Sequence, residues 1–191
     1  MLPVTETAFE GAGLSVPSVT VRDAVPCVAI PASGAMADLP RFAPPLFPDL
    51  HGWMHERGVT GMAGCFRYKA FHPDGRVGME VAMLLEHAVP GDAQVLAGEL
   101  PAGRYATATY TGPYDRLHDA FCMLSGWLRG RGLSADERYE AGSRFPAAQA
   151  EIYRVTPMDT ADPARRAAIE RSLAYMGLDD RIGHNLDSVK V

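Results

Sequence analysis

The chain has 191 residues, 47% of them hydrophobic and 21% charged, with a formal net charge of -5 at pH 7. That length buries a real core within one domain or two small fused subdomains. The acidic balance excludes broad nucleic-acid binding, which needs a basic surface to displace counterions from phosphates.

The three cysteines, Cys27, Cys65 and Cys122, are scattered through apolar stretches without CxxC spacing. They read as reduced residues of a cytoplasmic protein, not as a disulfide framework or a zinc site. Met1 to Glu6 carries no positive charge, and no uninterrupted apolar run is long enough to span a bilayer, so neither a signal peptide nor a membrane segment is expected. No basic helix-turn-helix segment is read ahead of the domain, so direct nucleic-acid contact is not expected and any role at DNA would come through a partner.

Taken in order, residues 1–18 are expected to form a flexible segment. Val25 to Ile30, short and apolar, predicts a first strand. A proline-rich connection follows, and Leu46, Leu50, Trp53 and Met54 at helical spacing predict a helix starting near Asp49 and ended by Gly58. Cys65 to Phe71 alternates Phe66, Tyr68 and Ala70 against Arg67 and Lys69. The turn His72-Pro73-Asp74-Gly75 then predicts a hairpin. Its return strand sets Val77, Met79, Val81, Met83 and Leu85 on one face, and Gly78, Glu80, Ala82 and Leu84 on the other.

Tyr105 to Tyr110 predicts another strand. Leu117, Phe121, Leu124 and Leu128 predict a second helix with Arg116, His118, Asp119 and Arg129 outward, Asp115 at its start, and Gly130 or Gly132 at its end. Ala150 to Val155 reads as a strand with Ile152 on one face and Glu151, Tyr153 and Val155 on the other. Asp162-Pro163 then predicts a helix carrying Ile169, Leu173, Tyr175 and Met176.

These elements repeat. Gly52-Trp53-Met54-His55-Glu56-Arg57-Gly58-Val59 matches Gly126-Trp127-Leu128-Arg129-Gly130-Arg131-Gly132-Leu133, and Pro26 and Pro101 precede their strands at nearly the same offset. The expected fold is therefore α+β: two duplicated strand-helix-strand-strand units forming an antiparallel sheet. Helices are expected on one face and, on the opposite face, an aromatic and acidic surface forming a ligand groove between the halves.

The run Glu99-Leu100-Pro101-Ala102-Gly103-Arg104-Tyr105-Ala106, then Tyr110-Thr111-Gly112-Pro113-Tyr114-Asp115, resembles the signature of GyrI-like small-molecule-binding domains. Ala150-Glu151-Ile152-Tyr153-Arg154-Val155-Thr156-Pro157 resembles a later strand of the same family, with Ala150 where a tyrosine is common. The resemblance implies a domain over residues 19–157, as pseudo-repeats of about 19–90 and 94–157, with a pocket between them. It leaves 158–191 as a helical extension where the family usually closes with a strand, either capping the pocket or forming a homodimer contact. The resemblance also implies kinship with effector-binding domains of multidrug-sensing transcriptional regulators, with gyrase inhibitor proteins, and with hydrolases that open cyclopropane-bearing genotoxins.

Glu151, on a central strand, is the leading candidate for the site. A desolvated carboxylate serves both cation binding and acid-base chemistry. Glu80, on a comparable strand of the first half, is a second candidate acid. Phe66, Tyr68, Tyr105 and Tyr153 are candidate aromatic walls for a hydrophobic or cationic ligand. Tyr114, Trp53 and Trp127 read as structural. His51 and His55 read as solvated residues without a metal partner, and no cofactor motif is present. The expected function is a standalone binding protein that sequesters or senses a drug or toxin. The alternatives are a hydrolase with Glu151 as its catalytic group, or a protein-interaction module such as a gyrase inhibitor.

Overall fold

The period-two stretches become strands, and the two apolar stripes become helices. The structure, a computed structural model, describes residues 13–112, 116–153 and 169–177. In chain order it runs β1 (Gly13–Leu14), β2 (Ser18–Arg22), β3 (Val25–Ala35), a 3-10 turn (Met36–Asp38), α1 (Leu39–Phe42), α2 (Leu46–Glu56), β4 (Ala63–Phe71), β5 (Arg76–Leu84), β6 (Leu96–Leu100), β7 (Gly103–Gly112), α3 (Leu117–Gly130), β8 (Glu137–Glu140), β9 (Ser143–Pro146), β10 (Gln149–Tyr153) and β11 (Ile169–Gly177).

All strand pairs are antiparallel, and the sheet order is β1-β7-β11-β10-β4-β5-β3-β6, with β2 also on β7 and β9 on β4 and β8. The six central strands, β7-β11-β10-β4-β5-β3, read the same from either end. Each half contributes an outer strand, a helix and a hairpin-like pair (β3-α2-β4-β5 and β7-α3-β10-β11), and the halves meet at the pair β4 and β10. This is the duplicated α+β fold expected from the repeat.

The helices pack on the same face of the sheet. Leu50, Trp53 and Met54 of α2 bury against Val28, Met83 and Leu85. Ala120, Leu124 and Leu128 of α3 bury against Ala106, Ala108 and Tyr110 of β7. Full burial of a side chain such as Leu50 or Leu124 contributes about 1.5–3 kcal/mol. Both helices end alike, with a glycine two residues past the last turn in the left-handed conformation: Gly58 at φ 63 and Gly132 at φ 66. The other face carries small residues, Cys27, Ala29, Cys65, Ala82 and Ala150, with Tyr105 and Ile152 filling the space between them. Pro101 and Ala102 join β6 at one end of the strand order to β7 near the other. The sheet is therefore curled around this small-residue core.

Three expectations are corrected. Residues 169–177, expected as helix, form β11 between β7 and β10. A helix would leave the facing edges of β7 and β10 unpaired, and the backbone hydrogen bonds of that gap decide the matter. This stretch is accordingly neither a helical cap nor a dimer helix. The N-terminal segment is strand from Gly13, and Ser18 already pairs with Thr107. The third correction concerns the groove. Phe66, Tyr68 and Tyr153 pack in one cluster with Leu39, Phe42 and Phe47, so the acidic and aromatic face is the helix-bearing face and not the one opposite. Residues 1–12, Pro113, Tyr114, Asp115, 154–168 and 178–191 lie outside the described residues, and with them the expected start of α3 and the helix start expected at Asp162-Pro163.

Candidate functional site

The two helices flank the central strands without meeting over them. The gap is a cavity of about 1620 Å³. Its floor is β4 and β10, where alternation puts Gly64, Phe66 and Tyr68 beside Gln149, Glu151 and Tyr153 on one face. Phe47, Pro48 and His51 of α2 form one wall, and Leu117, Phe121 and Cys122 of α3 the other.

Glu151 sits on this floor at 6% exposure. The Tyr68 hydroxyl donates to its Oε1 at 2.8 Å and the Tyr153 hydroxyl to its Oε2 at 2.7 Å. One phenol on each oxygen fixes the plane of the carboxylate and offsets part of the cost of burying it. Burial, and then the Glu151 carboxylate beside it, hold the Tyr68 phenol well above its ordinary range, so Tyr68 stays a donor at every physiological pH.

Aromatic rings surround the acid. Phe47 stacks on Phe66 with centroids 5.5 Å apart, and Tyr153 meets Phe66 edge-on at 5.2 Å. Tyr68 stacks on Phe71 at 5.5 Å. Gly64 makes the Phe47 position available, because a Cβ there would come within 3.0 Å of the Phe47 ring. Edge-to-face and offset pairs of this kind hold rings at fixed angles, about 0.5–1.5 kcal/mol each beyond their burial.

Four of the six expected ligand residues, Glu151, Tyr68, Phe66 and Tyr153, are thus brought together. The other two are not. Glu80 lies directly across from Arg67 on the opposite sheet face and pairs with it at 2.9 Å; Arg67 also donates to the Glu99 carbonyl at 2.7 Å and to the Cys27 sulfur at 3.0 Å. Glu80 lies off the cavity floor, because its phase on β5 is that of Ala82 and Leu84. Tyr105 is 1% exposed in the small-residue core, where its hydroxyl donates to the Pro101 carbonyl.

Sequence reasoning missed Phe47, Phe71, Gln149 and Arg144. Gln149 had a signal, being in phase with Glu151 and Tyr153. Phe47 lies three positions before Leu50 and seven before Met54, on the flank of the α2 stripe. Among the described residues no group of three or more His, Cys, Asp or Glu side chains converges on a metal position, and no helix is long and apolar enough to cross a membrane. His51 and His55 are both exposed, with His51 at the cavity wall.

Known structures share this architecture. The EcmrR C-terminal domain superposes with a TM-score of 0.64 at 15% identity, covering 86% of this chain and 97% of that one. EcmrR in its cryo-EM complex with DNA gives 0.63 at 15% identity over 90% of this chain, which spans only 60% of that longer chain. A hydrolase from Listeria innocua gives 0.54 at 10% identity, over 85% of this chain and 91% of that one. At such identities the likeness is one of fold. No curated protein sequence matches the chain. A family profile does match, over residues 17–163, most of the chain and all of the cavity floor. The protein belongs to the family of GyrI-like small molecule binding domains.

Proposed function

We propose that this protein is a binding module that sequesters or senses an aromatic, cationic small molecule in the cavity between α2 and α3. The observation that carries the reading is the buried Glu151 carboxylate, clamped by two phenols on the floor of a large aromatic cavity. A cation placed over it gains charge neutralisation where water is scarce, and the rings supply stacking and cation–π attraction. The cavity exceeds the roughly 300–1,000 Å³ of ordinary small-molecule sites, which suits a bulky polycyclic ligand. All three cysteines are free thiols, in keeping with a cytoplasmic setting.

A hydrolase on the same scaffold is the second reading, favoured by the fold shared with the Listeria innocua hydrolase. The site geometry argues for binding first. Each Glu151 oxygen already accepts a phenolic hydroxyl, which stabilises a standing negative charge more than it assists proton transfer.

A thermal-shift screen of wild type and Glu151→Gln against cationic dyes, planar aromatics and strained electrophiles, with mass spectrometry of every hit, separates the two. A ligand that raises the wild-type Tm, is recovered unchanged and loses its effect in Glu151→Gln supports the binding module. Conversion by wild type but not by the variant makes the protein a hydrolase.

A further inference from the structure

The two halves of the fold differ in what each adds beside the cavity: the first half carries the 3-10 turn and α1 between β3 and α2. The second half carries an extra hairpin, β8–β9, between α3 and β10, and the first half has no counterpart between α2 and β4. This hairpin brings Glu137 and Arg144 to the cavity lining.

Arg144 is firmly placed. Its Nη1 donates to Glu137 Oε2 at 2.8 Å and to Gln149 Oε1 at 3.1 Å, and its guanidinium carbon lies 4.1 Å from the centre of the Phe71 ring. Glu137 is held in turn by the Tyr139 hydroxyl on Oε1 at 2.7 Å. Both Arg144 hydrogen bonds run through Nη1, and among the described residues no hydrogen bond engages Nη2 or Nε. The unengaged edge is a planar pair of donors on a side chain only 24% exposed. That edge has the geometry of a carboxylate fork.

Arg144 is tied to the acid by the same strand. Gln149, its acceptor, is two residues from Glu151 on one face of β10, about 7 Å along the strand. A packed path also joins them: Arg144 on Phe71, Phe71 on Tyr68, Tyr68 on Glu151. The cavity therefore has an acid at Glu151 and, beyond the aromatic rings, an arginine whose charge Glu137 compensates but whose Nη2–Nε donor edge is unengaged.

We infer that the cavity is a bipolar site for zwitterionic aromatic ligands, with Glu151 receiving the cation and Arg144 a carboxylate borne at the other end. The inference rests on the cavity being the ligand site, and it adds a ligand class and a specificity residue to that reading. A single acid would accept any hydrophobic cation of suitable size. The second pole discriminates among them, because a ligand lacking the carboxylate leaves the Arg144 fork unmatched.

The test uses two dyes with one cationic ring system: tetramethylrosamine, which lacks a carboxyl group, and tetramethylrhodamine, which bears one on its pendant phenyl ring. Affinities are measured by fluorescence anisotropy for wild type, Arg144→Met and Arg144→Lys, each first checked for a cooperative melt. Wild type is expected to bind the carboxylated dye about tenfold more tightly. Arg144→Met brings that ratio to about one, and Arg144→Lys, which keeps the charge and the Glu137 pair but not the fork, falls between. Two dyes bound equally by wild type, or a ratio that survives Arg144→Met, overturn the bipolar site while leaving the cavity reading intact. If neither dye binds wild type, both readings fall.

Discussion

Glu151 is stabilised by partners that come from both halves of the fold: Tyr68 from β4 and Tyr153 from its own strand. Removing either hydroxyl takes one donor away from the buried carboxylate. Tyr68→Phe is therefore expected to cost about 1–3 kcal/mol in denaturant unfolding. In a Glu151→Gln background the same change should cost less than half as much, since the charge that needed the donor is gone. An equal cost in both backgrounds contradicts the assignment. Asp92 shows the same logic at the surface. The Trp53 indole N–H at 2.6 Å, the backbone N–H groups of Val95 and Gln94 at 3.0 and 2.9 Å, and Arg57 at 2.9 Å hold its carboxyl down to about 2. A carboxylate with a lowered folded value stabilises above its unfolded value of 3.8 and loses that stabilisation as the pH falls toward 2. Asp92→Asn should melt below wild type at pH 6, and the gap should close between pH 4 and pH 2. A gap that stays constant across that window rules the linkage out.

At the scale of elements, α2 and α3 were legible because their apolar stripes and terminal glycines repeat along the chain. Gly130 and Gly132 both looked able to end α3, and the structure separates them. Gly130 is the last helical residue, whereas Gly132 lies beyond it at φ 66, and a Cβ on either meets nothing within 4 Å. Gly132→Ala is expected to cost about 1 kcal/mol through left-handed strain, and Gly130→Ala to be neutral or stabilising by up to about 1 kcal/mol. Tm measurements that give both substitutions the same sign contradict this ending of α3. The β8–β9 hairpin was not legible. Its two-residue turn is Ala141-Gly142, with φ values of 48 and 78, where Asn-Gly or Asp-Gly is the usual signal. β11 was misread because Ile169, Leu173 and Met176 also fit a helical period. Only the gap between β7 and β10, which no local pattern displays, makes the stretch a strand.

For the whole molecule, the duplication told more than any single motif. It gave the paired units, and the pseudo-twofold between β4 and β10 then fixes which residues meet on the cavity floor. The alternation on β4 and β5 already held the reason Glu80 is absent from it. Tyr68 pairs with Met79 across the hairpin, so Glu80 must share a face with Arg67. What the repeat could not display is that both helices pack on the acidic face and stand apart over it, because helix placement depends on how the large and small residues of the two sheet faces pack once the sheet has curled. The central claim is that this gap binds a cationic aromatic ligand through Glu151. The most direct test is a fluorescence titration of wild type and Glu151→Gln with tetramethylrosamine at constant ionic strength. Saturable binding to wild type is expected, weakened at least tenfold by Glu151→Gln while the melting transition stays cooperative. Equal binding by the two proteins, or none by either, contradicts that claim.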